Sequence, residues 1–170
     1  IEEIEKVGEF MDRKKMLFIY NPHAGKAQIR SNLLDMIDIF TKAGFEVTAY
    51  PPQEKGDAIK AVTNRTDDYE MVCCSGGDGT LDEVVTGMMQ CENRIPIGYV
   101  PAGTTNDFAH SIGISSNMLK ATRAIVDGTP FPCDVGYFNE DIFVYIAAFG
   151  LFTDVSYATD QQMKNVLGHL

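Results

Sequence analysis

The feature that most constrains this chain is an apolar run that stops on glycines and restarts as a helix. Glu70-Met71-Val72-Cys73-Cys74 reads as a buried strand, and Ser75-Gly76-Gly77-Asp78-Gly79-Thr80 follows without a break. From Thr80 to Gln90 the pattern is helical. A strand that passes through glycines straight into a helix is half of a crossover unit, the building block of sheets with parallel neighbours.

The same form recurs along the chain. Met16–Tyr20 is a short apolar strand ending at Asn21-Pro22. A helix follows from Gln28 to Ala43, with Ile29, Leu33, Met36, Ile37 and Phe40 on one face and Gly44 where a left-handed cap belongs. Phe45–Tyr50 alternates like a strand and stops at Pro51-Pro52; a helix from about Asp57 to Asn64 comes next. Ile95–Val100 is the fourth strand, ending at Pro101, and residues 118–127 form a last helix. This order predicts an α/β fold, a parallel sheet with helices on both faces. Ligands of such sheets sit beyond the carboxyl ends of the strands. The three unusual loops, Asn21–Lys26, Ser75–Thr80 and Pro101–Asp107, all fall there.

After about Gly128 the alternation ends. Phe131–Tyr137 and Asp141–Phe149 read as consecutive strands joined at Asn139-Glu140. The chain thus divides into an α/β domain over 16–128 and the beginning of an all-β second domain over 129–170. Both ends read as cut: the sequence starts at Ile1 and not at a methionine, and it stops at Leu170 in a segment that still reads as helix, so the second domain is expected to be truncated.

Composition removes several classes of function. Apolar residues make up 45% and charged residues 22%, the balance of a globular chain with a real core. No apolar run is long enough to span a bilayer, and no signal peptide is visible, residues 1–6 being charged where a signal would be apolar. A net charge of −10 gives no general affinity for nucleic acid or anionic lipid. The basic cluster Arg13-Lys14-Lys15 reads as a solvated start to the first strand. None of the four cysteines forms a C-x-x-C pair, which leaves a zinc ribbon or redox motif unsupported. Cys73 and Cys74 read as small core residues, in keeping with a reducing cytoplasm.

The loops carry the chemistry. Gly76, Gly77 and Gly79 clear side chains from the backbone, so that N–H groups can reach a phosphate, and the helix that follows offers its N-terminus to an anion. Asp78 among those glycines fits a bridging magnesium ion or acceptance of a proton from an attacking hydroxyl. In the first loop Asn21 can hydrogen-bond a base, a ribose or a neighbouring loop, Gly25 allows close approach, and Lys26 brings positive charge; His23 reads as a loop side chain. This is not the G-x-x-x-x-G-K-[ST] phosphate loop. In the third loop the Thr104 and Thr105 hydroxyls can reach phosphate oxygens, Gly103 clears the backbone, and Thr105 or Asn106 can cap the next helix.

Taken together, the motifs resemble those of the diacylglycerol kinase catalytic-domain family, and its soluble bacterial lipid kinases above all. Gly76-Gly77-Asp78-Gly79-Thr80-Leu81-Asp82-Glu83-Val84 is similar to the family's G-G-D-G-T-x-N-E-V. Asn21-Pro22-His23-Ala24-Gly25-Lys26 resembles N-P-x-[SA]-G-K, and Pro101–Ala109 resembles P-x-G-T-x-N-D-x-A. Asp134-Val135-Gly136 and Val144–Gly150 match the opening of the family's second domain, a β-sandwich. The resemblance implies an ATP-dependent kinase acting on a lipid hydroxyl, with ATP and Mg²⁺ in a cleft between two domains. It implies nucleotide contacts from Asn21, Pro22, His23, Ala24, Gly25 and Lys26, from Gly76 through Glu83 including Thr80, Leu81 and Asp82, and from Gly103 and Thr104. Asp78 would be the catalytic residue, acting near magnesium and the transferred group.

The implied partners are ATP, a lipid substrate and, transiently, a membrane surface, with no nucleic acid; a homodimer is left open. The implied location is the cytoplasm, at the membrane periphery. Two departures stand out: Asp82 replaces the usual Asn, and Pro51-Pro52 occupy the place of a nucleotide-touching Thr. The family's acidic catalytic base and structural magnesium site lie later than Leu170, so this stretch alone is expected to be inactive. NAD kinase and sphingosine kinase share versions of the glycine loop, and a non-catalytic nucleotide-binding fragment is the reading from another class.

Overall fold

The computed structural model describes residues 13–25, 28–138 and 141–144. Four strands, β1 (Lys14–Tyr20), β2 (Phe45–Tyr50), β3 (Met71–Gly76) and β4 (Ile97–Pro101), form one sheet in which every neighbouring pair is parallel. The connecting helices are α1 (Ile29–Lys42), α2 (Asp57–Thr63), α3 (Asp78–Gln90), α4 (Asp107–Ser111) and α5 (Met118–Asp127).

Strand side chains point alternately to the two faces, and each face is covered. Leu17, Ile19, Val72, Cys74 and Tyr99 pack against α2, α3 and α4. Met16, Phe18, Cys73 and Val100 pack against α1 and α5. Phe18 meets Phe40 of α1 edge-on, with ring centroids 5.5 Å apart. Met16 through Ile19 are therefore fully buried, whereas Lys14 and Lys15 at the start of the strand are exposed. Burial pushes the thiols of Cys73 and Cys74 upward, as the desolvation of two core cysteines requires.

The strand order is β2-β1-β3-β4. From β1 the chain moves outward to β2, then returns across the sheet to β3 on the other side of β1. The direction of winding reverses between β1 and β3, and a crevice opens there beyond the strand ends.

The sequence-based boundaries hold within a residue or two for most elements, and Gly44 has φ +90° where the cap was expected. Three differences have physical causes. Helix α3 begins at Asp78, so Gly79 and Thr80 are helical; extended Gly77 is its N-cap, and its carbonyl accepts the N–H groups of Thr80 and Leu81. A short helix, α4, and a 3₁₀ turn at Thr66–Asp68 are too brief to show periodicity. The expected strand Phe131–Tyr137 is paired only from β5 (Gly136–Phe138), antiparallel to β6 (Asp141–Phe143). Pro130 and Pro132 flank Phe131 and carry no N–H for a ladder, and residues 131–134 are exposed. The joint at Asn139-Glu140 and residues 145–170 lie outside the described residues, and most of the anticipated all-β domain lies there with them.

Candidate functional site

The crevice is bordered by the loops that leave β1 and β3. Asn21 follows β1, and its N–H donates to the Ser75 carbonyl at 2.9 Å, stitching the two strand ends together. The Asn21 side chain turns back on its own loop, with Oδ1 accepting the His23 N–H at 2.9 Å. Ala24 is buried, His23 is exposed, and Pro22 is half-buried. Gly25 has φ +38°, and a Cβ there would collide with the Ala102 carbonyl of the third loop. Only glycine fits that position. Lys26 lies outside the described residues.

The Gly76 carbonyl accepts two bonds, from the Ala102 N–H at 2.8 Å and from the Tyr99 hydroxyl at 3.2 Å. Burial, with smaller contributions from Cys74 and Asp78, pushes the Tyr99 phenol up, which keeps it a donor. The first amides of α3 have no partner one turn earlier in the helix. Gly79, in that first turn, is exposed, and nothing lies within 4 Å of where its Cβ would be. A phosphate can therefore approach this helix end without meeting a side chain at that position. Thr80, Asp82 and Glu83 are half-buried around it, and Leu81 is buried.

The third loop presses on the glycine loop after β3. A Cβ on Gly103 would lie 2.5 Å from Gly77 Cα, so the two glycine backbones are in direct contact. Asp78 reaches across the same junction: Oδ2 accepts the Asp107 N–H at 3.1 Å, and Oδ1 accepts the Phe108 N–H at 3.3 Å. The Thr105 hydroxyl approaches Oδ2 at 3.5 Å. Thr104 is exposed. All three loops thus meet at one edge, as their positions after β1, β3 and β4 predict.

The donor set separates phosphate from metal. The glycine backbone and helix end suit phosphate oxygens. Among the described residues no group of three or more acidic, His or Cys side chains is arranged to hold a metal ion. Asp78 is a single carboxylate, which suits a magnesium ion carried in by phosphates. Sequence reasoning missed Tyr99, hidden as a core aromatic, and gave Asn106 only the role of a cap. It also missed Ser75, whose Oγ is buried at the end of β3 with no hydrogen-bond partner among the described residues. Its only sequence signal is a hydroxyl placed just before the glycines.

The diacylglycerol kinase catalytic domain family matches residues 15–138. The chain is 40% identical over 157 residues to a diacylglycerol kinase of Staphylococcus carnosus, covering 92% of this chain and 51% of that protein. It is 38% identical over 157 residues to a diacylglycerol kinase of Staphylococcus aureus, covering 92% of this chain and 50% of that protein. A crystal structure of a diacylglycerol kinase from Bacillus anthracis superposes with a TM-score of 0.71 at 30% identity, covering 78% of this chain and 48% of that one. The chain spans about half the length of the relatives it matches. With its three loops in family order and its sheet in the family's architecture, this chain belongs to the diacylglycerol kinase catalytic-domain family.

Proposed function

We propose that the whole protein transfers the γ-phosphate of ATP to a lipid hydroxyl, of diacylglycerol or a related lipid. The observation that carries this reading is the gathering of three loops at the β1/β3 crevice, with the open first turn of α3 among them. Family membership supplies the direction of the chemistry. Phosphoryl transfer asks a protein mainly for positioning and charge neutralisation. The amides of Gly77 to Gly79 would bind phosphate oxygens, Asn21 through Lys26 and Thr104 would hold the nucleotide from the flanking loops, and Asp78 would face the transferred group. Magnesium bound with ATP would supply charge neutralisation at the phosphates. The Asp107 and Phe108 amides hold the Asp78 carboxylate in one orientation.

A second observation favours an apolar acceptor. A cavity of about 720 Å³ runs beside β4, with Leu81, Met88, Tyr99, Phe108 and Ile114 among its largely apolar lining. Leu81 and Tyr99 also adjoin the phosphate loop, so apolar surface lies next to the site where transfer would occur. Contact with lipid at a membrane surface in the cytoplasm is part of the same proposal. No helix among the described residues is long and apolar enough to cross a membrane.

The test is the full-length protein with labelled ATP, magnesium and a panel of acceptors: diacylglycerol, monoacylglycerol, sphingosine and NAD. Label in a lipid product is the expected result. Label in NAD alone would overturn the lipid assignment, and no label in any acceptor would overturn the kinase assignment.

A further inference from the structure

The residue that joins the third loop to α4 is doing something other than capping a helix. Asn106 occupies the N-cap position of α4, where an Asn side chain ordinarily accepts an amide N–H of the first turn. It makes no such bond. The amides of that turn, Asp107 and Phe108, are instead taken by Asp78 from the phosphate loop. The Asn106 side chain is thereby released, and both its polar atoms go to one residue: Oδ1 accepts the Gly103 N–H at 2.8 Å, and Nδ2 donates to the Gly103 carbonyl at 2.9 Å.

The backbone of Asn106 is unusual as well. With φ +54° it is the one non-glycine residue at positive φ among the described residues, and it is 8% exposed. A non-glycine residue in the left-handed region carries a conformational cost and persists where its surroundings hold it there. Here the turn has two outcomes. It folds Gly103 back under the Asn106 amide, against Gly77. It also directs the next two N–H groups at Asp78. Two successive residues of the phosphate loop are thus set by the conformation of one residue in another loop.

We infer that Asn106 is a positioning residue for the phosphate loop, acting through Gly103 on Gly77 and through the α4 amides on Asp78. The inference rests on the kinase reading for its effect on turnover, and on geometry alone for its effect on the loop. Glycine isolates the side chain's part, because Asn106→Gly keeps the left-handed backbone without strain and removes both bonds to Gly103. Asn106→Asp keeps the acceptor and loses the donor.

The experiment uses the full-length protein and two readouts. The first is amide hydrogen exchange without nucleotide, read over peptides spanning Ser75–Leu81 and Gly103–Phe108. Asn106→Gly is expected to speed exchange in both segments by about tenfold, the size of one lost hydrogen bond, with the sheet strands unchanged. The second is titration with magnesium and a non-hydrolysable ATP analogue, followed by steady-state kinetics. KM for ATP is expected to rise and kcat to fall, together lowering kcat/KM about 10- to 100-fold, with KM for the lipid unchanged and Asn106→Asp no milder than Asn106→Gly, because its second carboxylate oxygen would face the Gly103 carbonyl. Exchange confined to Gly103–Phe108, with nucleotide affinity and kcat as in the parent, would overturn the inference and leave the kinase reading standing. A parent protein that fails to bind the ATP analogue would overturn the kinase reading; the exchange result would then decide the structural half by itself. Asn106→Ala is the wrong variant, since it adds backbone strain to the loss of the bonds.

Discussion

Asp78 sits in a glycine loop, but its carboxylate is tied to amides 29 and 30 residues further along the chain. Replacing it removes more than a charge beside the proposed phosphate site. Asp78→Asn leaves one acceptor oxygen for two N–H donors, and its amide group brings donors where donors already converge. Transfer is expected to be lost, and stability is expected to drop by about 1–3 kcal/mol, the cost of leaving one amide donor unsatisfied. Thermal melts of parent and variant check the second part. A melt unchanged by the substitution would mean that the amides find another partner. The cysteines offer a simpler check on the core. Cys73 and Cys74 are buried with raised thiol pKa values, while Cys133 is exposed. Mild alkylation at pH 8 followed by mass spectrometry should label Cys133 and leave the buried pair unmodified until denaturant is added. Single residues were only partly legible in the sequence for a clear reason. That Gly25, Gly77 and Gly103 allow close approach can be read along a chain, because a missing side chain is visible there; what approaches Gly25 and Gly103 is another loop. The roles of Asn106, Tyr99 and Asp78 depend on which loop faces which, and that is set by strand order. Asn106 before Asp107 looks like an ordinary cap because the residue that displaces it from that role is far away in sequence.

Elements were more legible than contacts. Apolar runs closed by prolines or glycines located β1 to β4, and apolar spacing of three and four located α1. Failure came where an apolar stretch has no N–H to pair: Pro130 and Pro132 keep Phe131 to Asp134 out of the hairpin. Helix α3 provides a contrast between two of its glycines. At Gly87 a Cβ would lie 2.9 Å from Val62 Cβ and 3.0 Å from the Ile59 carbonyl, so α2 and α3 touch there. At Gly79 a Cβ would meet nothing. Gly87→Ala is therefore expected to destabilise the protein by about 1–3 kcal/mol through overpacking, outweighing its gain in helix propensity. Gly79→Ala is expected to leave stability equal or raise it by up to about 1 kcal/mol, while weakening nucleotide binding because the methyl group occupies the approach to the helix end. Urea unfolding and ATP-analogue titration of both variants separate the two effects; equal behaviour of the two would show that the helix end is not where phosphate approaches.

For the molecule as a whole, the alternation of strands and helices made the parallel sheet and its covered faces predictable, whereas the order β2-β1-β3-β4 was not written in any local pattern. Charge is the other global property. At −10, the 170-residue chain should repel a surface rich in anionic lipid. In low salt and without divalent cations it is expected to stay in the supernatant when vesicles of phosphatidylglycerol are sedimented. Binding that weakens as salt is added would instead assign Arg13-Lys14-Lys15 to the lipid surface. The tie between Asp78 and α4 also bears on how the chain reaches this structure. A five-residue helix has no stability of its own, since helix nucleation is costly and the first turn gains little in return. Its first two amides, those of Asp107 and Phe108, meet the Asp78 carboxylate only when the end of β3 lies beside the end of β4, after the central strands have paired. Helix α4 should therefore be among the last pieces to form and among the first to open, giving it a folding φ-value near zero. Nascent chains that have not yet paired β3 with β4 would then lack an assembled phosphate loop, so nucleotide binding would report completion of the sheet.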